Sequence, residues 1–125
     1  IYNERYSPSN KYEFWNKKIT KSLNQYGEEI RTKVLVNCAS NEYFNAIKPD
    51  ILSLRVITPV FLERKDGIEK MVSFYAKNAR GAMARFIIQN RILDEASLKN
   101  FNLNGYMFSP EKSNNNQMFF IRDSL

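Results

Sequence analysis

The sequence predicts an α+β fold, in which a mixed sheet contains a β-hairpin that leads into a long basic amphipathic helix. Three observations support this fold class. An Asp-Gly dipeptide separates two strand-like runs, residues 73–91 repeat apolar side chains at helical spacing, and a loop rich in Ser, Pro and Asn separates two short apolar runs near the C-terminal end. We also predict additional short helices and a C-terminal pair of strands.

The hairpin is centred on Asp66 and Gly67, a dipeptide that suits a two-residue type I′ turn. Its predicted strands are residues 55–65 and 68–75. This centring places either opposite charges or two apolar side chains across from one another, which supports the register. The predicted pairs are Arg64 with Glu69, Glu63 with Lys70, Leu62 with Met71, and Phe61 with Val72.

The other elements follow from periodicity and from capping residues. Residues 12–26 place apolar side chains on one helical stripe and end at Gly27, a residue type that often stops a helix. Ser40 is the predicted N-cap of a short helix over residues 40–47, and Glu42 in its first turn complements the helix dipole. The remaining predictions are strands over residues 33–37, 106–108 and 118–122 and a short helix over residues 94–100.

The central helix, residues 73–91, carries four cationic side chains and no carboxylate. At about 100° per residue, one of its sides is predicted to pack on the core. That side holds Tyr75, Ala79, Ala82, Met83, Phe86 and Asn90. The opposite side interleaves cations with small residues, which lets a flat polyanion approach the helix closely. It holds Lys77, Arg80, Gly81, Ala84 and Arg91. We therefore predict a phosphate-binding face.

Three further cations belong to the predicted binding surface. Arg85 lies roughly 80° around the helix from Lys77, toward the packed side. Lys17 and Lys21 lie on the far side of the first helix and form a second patch. The net charge of +6 favours polyanionic partners.

Several motifs resemble one known family. The central pattern FYAK-ARG-M-RFII-NR is similar to the hallmark of the YaaA family of bacterial peroxide-stress proteins. Other runs resemble that family in the same order: YEFW at residues 12–15, NCASNEYF at 37–44, PVFLERKDG at 59–67 and GYMF at 105–108. The resemblance implies a role in peroxide stress, DNA binding that includes a helix-hairpin-helix-like element, and a link to limiting free iron. We therefore expect double-stranded DNA as the partner, bound through phosphates and largely independent of sequence.

The resemblance also predicts the domain organisation. The matching motifs belong to the C-terminal half of the family's chain. We therefore expect residues 1–125 to form a single compact unit that is the C-terminal half of a protein, with the N-terminal half absent. That absent N-terminal half would be a partner of residues 1–125. A chain of 125 residues is long enough to bury a core of its own.

The missing residue types limit the chemistry. The sequence contains no histidine, which excludes Ser-His and Cys-His pairs, and we predict neither a metal site nor a cofactor. The single cysteine, Cys38, follows an apolar strand and is predicted to be a buried, inert thiol. No apolar run reaches the roughly 18 residues that span a bilayer, so we expect no membrane partner and a cytoplasmic location.

Two alternatives to DNA binding remain open at this level. The first is an enzyme acting on a phosphorylated or nucleic-acid substrate, with Lys77 or Arg80 stabilising anionic charge. Its polar site would consist of Asn37, Ser40, Glu42 and Tyr43, with Glu42 as acid or base. Because the sequence contains no motif that is typical of a particular reaction, we favour a non-enzymatic role. In the second alternative, the cations of the central helix only neutralise buried carboxylates.

Overall fold

A computed structural model describes residues 8–30, 32–39, 44 and 52–124, with the backbone alone for residues 8–15. The chain folds as α+β, as predicted. Its helices are α1 (Pro8–Glu29), α2 (Ser73–Asn90) and α3 (Glu95–Leu98), and a 3₁₀ turn covers Leu103–Gly105. Its strands are β1 (Val34–Val36), β2 (Arg55–Lys65), β3 (Ile68–Lys70), β4 (Met107–Ser109) and β5 (Gln117–Asp123). None of the described helices is long and apolar enough to cross a membrane.

The long strand β2 organises the sheet, whose order is β1-β2-β5-β4 with β3 also paired to β2. One edge of β2 pairs in parallel with β1 near its start and antiparallel with β3 near its end. The other edge pairs in parallel with β5 from Thr58 to Arg64. Strand β4 runs antiparallel to β5. The sheet is therefore mixed, and its parallel strands β1, β2 and β5 run in the same direction.

Pro59 lies in the middle of β2 without costing a ladder hydrogen bond. The carbonyl of Ile57 accepts from Asn37 on the β1 side, and the N–H of Thr58 donates to Asn116 on the β5 side. Because successive residues of a strand face alternate edges, Pro59 faces the β1 side. On that edge, β1 pairs with residues 55–57 and β3 pairs with residues 63–65, so Pro59 lies between the two ladders. A proline, which lacks an N–H, is tolerated there.

The core lies between one face of the sheet and α2. Along β2, Ile57, Phe61 and Glu63 alternate inward and are buried. The Phe61 ring stacks on Phe120 of β5 at 5.4 Å and meets the edge of Tyr106 at 5.2 Å. Aromatic pairs at these spacings add to the stability supplied by apolar burial. Residues of α2, Leu98 and Phe101 complete the buried cluster.

The predicted hairpin turn and its first pairs are confirmed. Asp66 and Gly67 both have positive φ, 53° and 76°, as a type I′ turn requires. Glu63 pairs with Lys70 and Arg64 with Glu69. The second strand, however, ends at Lys70 and not at residue 75, so the predicted pairs of Leu62 with Met71 and Phe61 with Val72 are wrong.

Helix α2 explains that early end of β3. The N–H of Ala76 donates to the carbonyl of Val72 at 2.9 Å, so the helical hydrogen bonds already involve the residues that would have extended the strand. Four alanines in α2 favour this outcome, since alanine has the highest helix propensity.

Helix α1 is longer at both ends than the predicted residues 12–26. It starts at Pro8, where a proline suits the first helical turn, and it continues through Gly27 to Glu29. Gly27 does not end the helix as predicted. A Cβ there would lie 2.6 Å from Cδ2 of Leu54, so glycine permits close packing at this point.

The other predicted elements differ from the structure by one or two residues at an end. The strands predicted over residues 33–37, 106–108 and 118–122 are β1, β4 and β5, and the short helix predicted over 94–100 is α3. Asp94 caps α3 by accepting a hydrogen bond from the N–H of Ser97 at 2.7 Å. The helix predicted over residues 40–47 lies outside the described residues, apart from Phe44.

Candidate nucleic-acid interface

Helix α2 packs on the sheet through small side chains. Ala76, Ala79, Ala82 and Met83 are its buried residues, and short alanine side chains let the helix lie close to the strands. The helix ends at Arg91, whose backbone is left-handed with φ 50° and whose N–H donates to the carbonyls of the last turn. This packing fixes which side of α2 faces outward.

The predicted packed side of α2 is confirmed in its centre and wrong at its two ends. Ala79, Ala82 and Met83 are buried, and Phe86 packs against the core. Tyr75, by contrast, is 43% exposed, and its ring lies beside the guanidinium of Arg122, which is 5.0 Å from the ring centroid. Asn90 is exposed in the last turn, where its amide donates to the carbonyl of Phe86 at 2.9 Å.

The cations of α2 differ in their exposure. Lys77, Arg85 and Arg91 are exposed, whereas Arg80 is half-buried. Among the residues that the structure describes, the ion-paired carboxylates bind cations that lie outside α2. These pairs are Arg55 with Glu95, Arg64 with Glu69 and Asp123, Lys112 with Glu69, and Arg122 with Glu63. Lys77, Arg85 and Arg91 therefore present positive charge to solvent within the described part of the chain.

Arg80 lies near the end of β1. Burial raises the pKa of the Cys38 thiol to about 11, and the positive charge of Arg80 acts in the opposite direction. The guanidinium therefore lies within electrostatic reach of the residue that follows Asn37. The raised pKa keeps Cys38 in its unreactive thiol form at neutral pH, in agreement with the inert role predicted for it, but the side chain is half-buried and not buried as predicted.

Gly81 leaves the outward side of α2 open. A Cβ built at this position would meet only the Arg85 guanidinium, at 3.6 Å, which is an ordinary contact. Neither the backbone conformation nor a described neighbour therefore requires glycine here. A ligand could approach the helix backbone at this point more closely than beside a bulkier residue.

Lys17 and Lys21 form a separate patch on α1. Both are exposed, one turn apart. They lie about 120° and 160° around the helix from Leu23, which faces the groove between α1 and α2. The structure therefore does not join these two lysines to the cations of α2 into one surface.

Of the four residues predicted for an alternative polar site, the structure describes only Asn37. This residue is buried, its backbone N–H donates to Ile57, and its Oδ1 accepts from the N–H of Ala39 at 3.0 Å. These bonds fix the turn that follows β1 and already use the side-chain oxygen. Ser40, Glu42 and Tyr43 lie outside the described residues.

A buried charge cluster at the ends of β2 and β5 was not predicted. Glu63, only 4% exposed, accepts hydrogen bonds from the Tyr106 hydroxyl at 2.8 Å and from Nε of Arg122 at 2.6 Å. The Arg122 guanidinium also donates to the carbonyl of Asn104 and lies between the rings of Tyr75 and Tyr106. Burial, together with the bond to Glu63, raises the pKa of Tyr106 and keeps it protonated.

One signal in the sequence could have found this cluster. Glu63 is in phase with Ile57 and Phe61, so strand alternation points its side chain inward. The pairing of Glu63 with Lys70 in the hairpin suggested a surface position instead. A carboxylate on the inward face of a strand requires a buried partner, and Arg122, on the same face of β5, supplies it.

These features define an α+β protein in which a cationic helix lies over a mixed sheet. A family model described as peroxide stress protein YaaA matches residues 3–112. The chain therefore belongs to the YaaA family of peroxide stress proteins.

Relatives with similar sequences are proteins called UPF0246. One from Ruegeria pomeroyi is 50% identical over 111 residues, which cover 89% of this chain and 43% of that protein. One from Roseobacter denitrificans is 51% identical over 116 residues, covering 91% and 45%. One from Idiomarina loihiensis is 48% identical over 113 residues, covering 90% and 44%. The chain thus spans less than half the length of these curated relatives.

Proposed function

We propose that this peroxide stress protein acts by binding double-stranded DNA through the outward side of α2. Lys77, Arg85 and Arg91 contact phosphates from this side, the half-buried Arg80 adds a contact from its border, and Gly81 allows the backbone to come close. Lys17 and Lys21 on α1 add a weaker, separate contact. Because phosphates carry no sequence information, binding is largely independent of sequence. The protein would meet DNA in the cytoplasm, the location predicted from the sequence.

The observation that supports this proposal most strongly is the exposure of Lys77, Arg85 and Arg91. Within the described part of the chain, Arg55, Arg64 and Arg122 each have a carboxylate partner. The three exposed cations of α2 have no carboxylate partner there. A rigid helix holds their Cα atoms at fixed spacings, which preorganises a phosphate-binding surface better than a flexible tail would. This arrangement favours DNA binding over the alternative in which these cations only neutralise buried carboxylates.

We propose that the 125-residue chain is the C-terminal half of a YaaA-like protein. In this proposal, the complete protein binds DNA. The link to limiting free iron, which the family resemblance implies, belongs to the same proposal. We assign no residue to it, since the described residues hold no group of three or more metal-binding side chains.

One observation among the described residues supports the enzyme alternative. Arg80 lies within electrostatic reach of Cys38, next to Asn37, which places one cation near the predicted polar site. The side-chain oxygen of Asn37 is already used within its own turn. We therefore keep DNA binding as the proposed function.

The test is a salt titration of DNA binding by the full-length protein. Four phosphate contacts predict a loss of roughly a hundredfold in affinity between about 50 and 200 mM salt, since each contact releases about 0.9 counterions. The double variant Lys77→Ala/Arg85→Ala should bind unrelated duplexes about equally weakly, with a salt slope shallower by about two units.

A matched control separates this effect from a change in net charge. Lys65→Ala/Lys70→Ala removes two exposed lysines from the hairpin, outside the proposed surface. This control should leave the salt slope nearly unchanged. Equal slopes for the two double variants, or no DNA binding by the full-length protein at low salt, would overturn the proposal.

A further inference from the structure

An apolar groove of about 340 Å³ runs along the outer edge of β1. Leu23 and Tyr26 of α1 line one side, and Ile87 and Ile88 of α2 line the other. Its floor includes consecutive residues of β1, whose side chains point to both faces of the sheet. The groove therefore follows the edge of the strand and not one of its faces.

The backbone of β1 presents unpaired groups to this groove. The carbonyl of Lys33 accepts from Arg55 and the N–H of Asn37 donates to Ile57, so residues 33, 35 and 37 face β2. By alternation, the backbone N–H and C=O groups of Val34 and Val36 point away from β2. The N–H of Val34 is satisfied by Oγ1 of Thr32 at 3.3 Å. For the outward N–H and C=O of Val36, the described residues supply no hydrogen-bond partner.

The apolar walls of the groove are unusually exposed. Tyr26 is 59% exposed, Ile88 is 74% exposed and Leu93 is 67% exposed. Adjoining exposed side chains of this size mark an interaction surface more often than scattered single ones do. The neighbouring ladder of β1 and β2 is parallel, and parallel strands normally lie inside a sheet with apolar cover on both sides.

We propose that the groove receives a further β-strand, from the part of the protein's polypeptide that lies outside these 125 residues. The relatives support this choice of occupant, since the matched segment covers only 43% to 45% of their length. A strand in the groove would pair with the outward groups of Val36, and its alternate side chains would cover Tyr26 and Ile88. Strand β1 is then an interior strand of the complete sheet. This proposal is independent of DNA binding.

The test is backbone NMR of the full-length protein. The amide of Val36 should exchange at least about a hundredfold more slowly than in an unstructured chain, because a buried partner strand protects it. Cross-strand contacts between Val36 and its neighbour should identify residues outside the 125. Fast exchange at Val36, contacts to residues 40–51, or protection that disappears on dilution to the monomer would each overturn the proposal.

Two isoleucine variants provide a matched comparison. Ile88→Glu places a carboxylate in the groove and should accelerate exchange at Val36. Ile68→Glu makes the same change on β3, where isoleucine is 66% exposed and remote from the groove, and should leave the exchange rate unchanged. Equal effects of the two variants would contradict the proposal. If Ile88→Glu does not fold, the contacts measured on the unmodified protein still decide the question.

Discussion

Two groups of cations in this molecule differ in how their charge is balanced. Arg122, near the end of β5, is hydrogen-bonded to the buried Glu63 and lies between the rings of Tyr75 and Tyr106. Lys77 and Arg85, on the outward side of α2, are exposed and have no carboxylate partner among the residues that the structure describes. The first arrangement stabilises the fold, and the second leaves positive charge available to a ligand.

Burial accounts for this difference. A buried carboxylate loses its hydration, so Glu63 requires both the hydroxyl of Tyr106 and the guanidinium of Arg122. An exposed cation keeps its hydration and costs nothing when it is unpaired. The number of positive charges alone would not separate these two roles, whereas their depth and partners do.

The largest expected effect comes from removing the buried partner. Arg122→Ala should lower the free energy of unfolding by about 3 to 5 kcal/mol, because Glu63 is left buried with a single hydrogen-bond donor. Urea unfolding of the full-length protein measures the change. The control is Arg55→Ala, which removes the more exposed ion pair with Glu95 and should cost about 0 to 1 kcal/mol. Similar losses in the free energy of unfolding for the two variants would show that the buried ion pair does not stabilise the fold more than the exposed one.

A second prediction concerns Arg80, which lies between the two groups. Its charge lowers a Cys38 pKa that burial has raised to about 11, so Arg80→Met should raise this pKa further. The pH dependence of thiol alkylation measures the pKa. Arg85→Met, which changes an exposed arginine of the same helix, should leave it unchanged. A shift with Arg85→Met, or none with Arg80→Met, would contradict the orientation of Arg80.

The raised thiol pKa also predicts a pH dependence of stability. Because the pKa in the folded protein is about 11 and the ordinary value is 9.0, the folded state holds the proton more tightly than the unfolded state. The resulting stabilisation is fully present below pH 9 and is lost as the pH rises toward 11. Cys38→Ala should reduce this loss in alkaline unfolding curves.

The smallest expected effect separates the two substitutions at Gly81. Gly81→Ala should stabilise the protein by about 0.5 to 1 kcal/mol, because alanine favours helix and its Cβ fits beside Arg85. DNA affinity should be little changed. Gly81→Leu should weaken DNA binding, since its side chain projects from the proposed surface. If Gly81→Leu binds DNA as well as Gly81→Ala, nothing approaches the helix closely at this position.

Features set by neighbouring residues were the most predictable from the sequence. The hairpin turn follows from Asp66 and Gly67 alone, and the buried centre of α2 follows from helical spacing. The end of β3 was misplaced because residues 71–75 suit both strand and helix, and the alanines that decide between them lie further along. The predicted stripe also failed at Tyr75, which is exposed in the first turn of α2 and lies beside Arg122 of a strand distant in the sequence.

Features that join distant segments could not be predicted in the same way. Glu63 and Arg122 are 59 residues apart, and only the parallel pairing of β2 with β5 brings them onto one face. The groove beside β1 likewise depends on residues of α1, β1 and α2 that are far apart in the sequence. For the candidate site, the sequence identified the cationic side of α2. It could not show that Arg80 is half-buried near Cys38 while Lys77 and Arg85 are exposed.

The position of Pro59 has a consequence for how the chain assembles. Strand β2 meets β3 across a two-residue turn, but it meets β5 only when residues 59 positions apart in the sequence come together. Hairpins form in about 1 to 10 µs, and long loops close at a greater entropic cost, so β2 should spend part of refolding with open edges. Open edges invite pairing between different chains. Because Pro59 offers no N–H on the edge that faces β1 and β3, it should hinder such pairing on that edge, while the other edge stays open until β5 pairs with it.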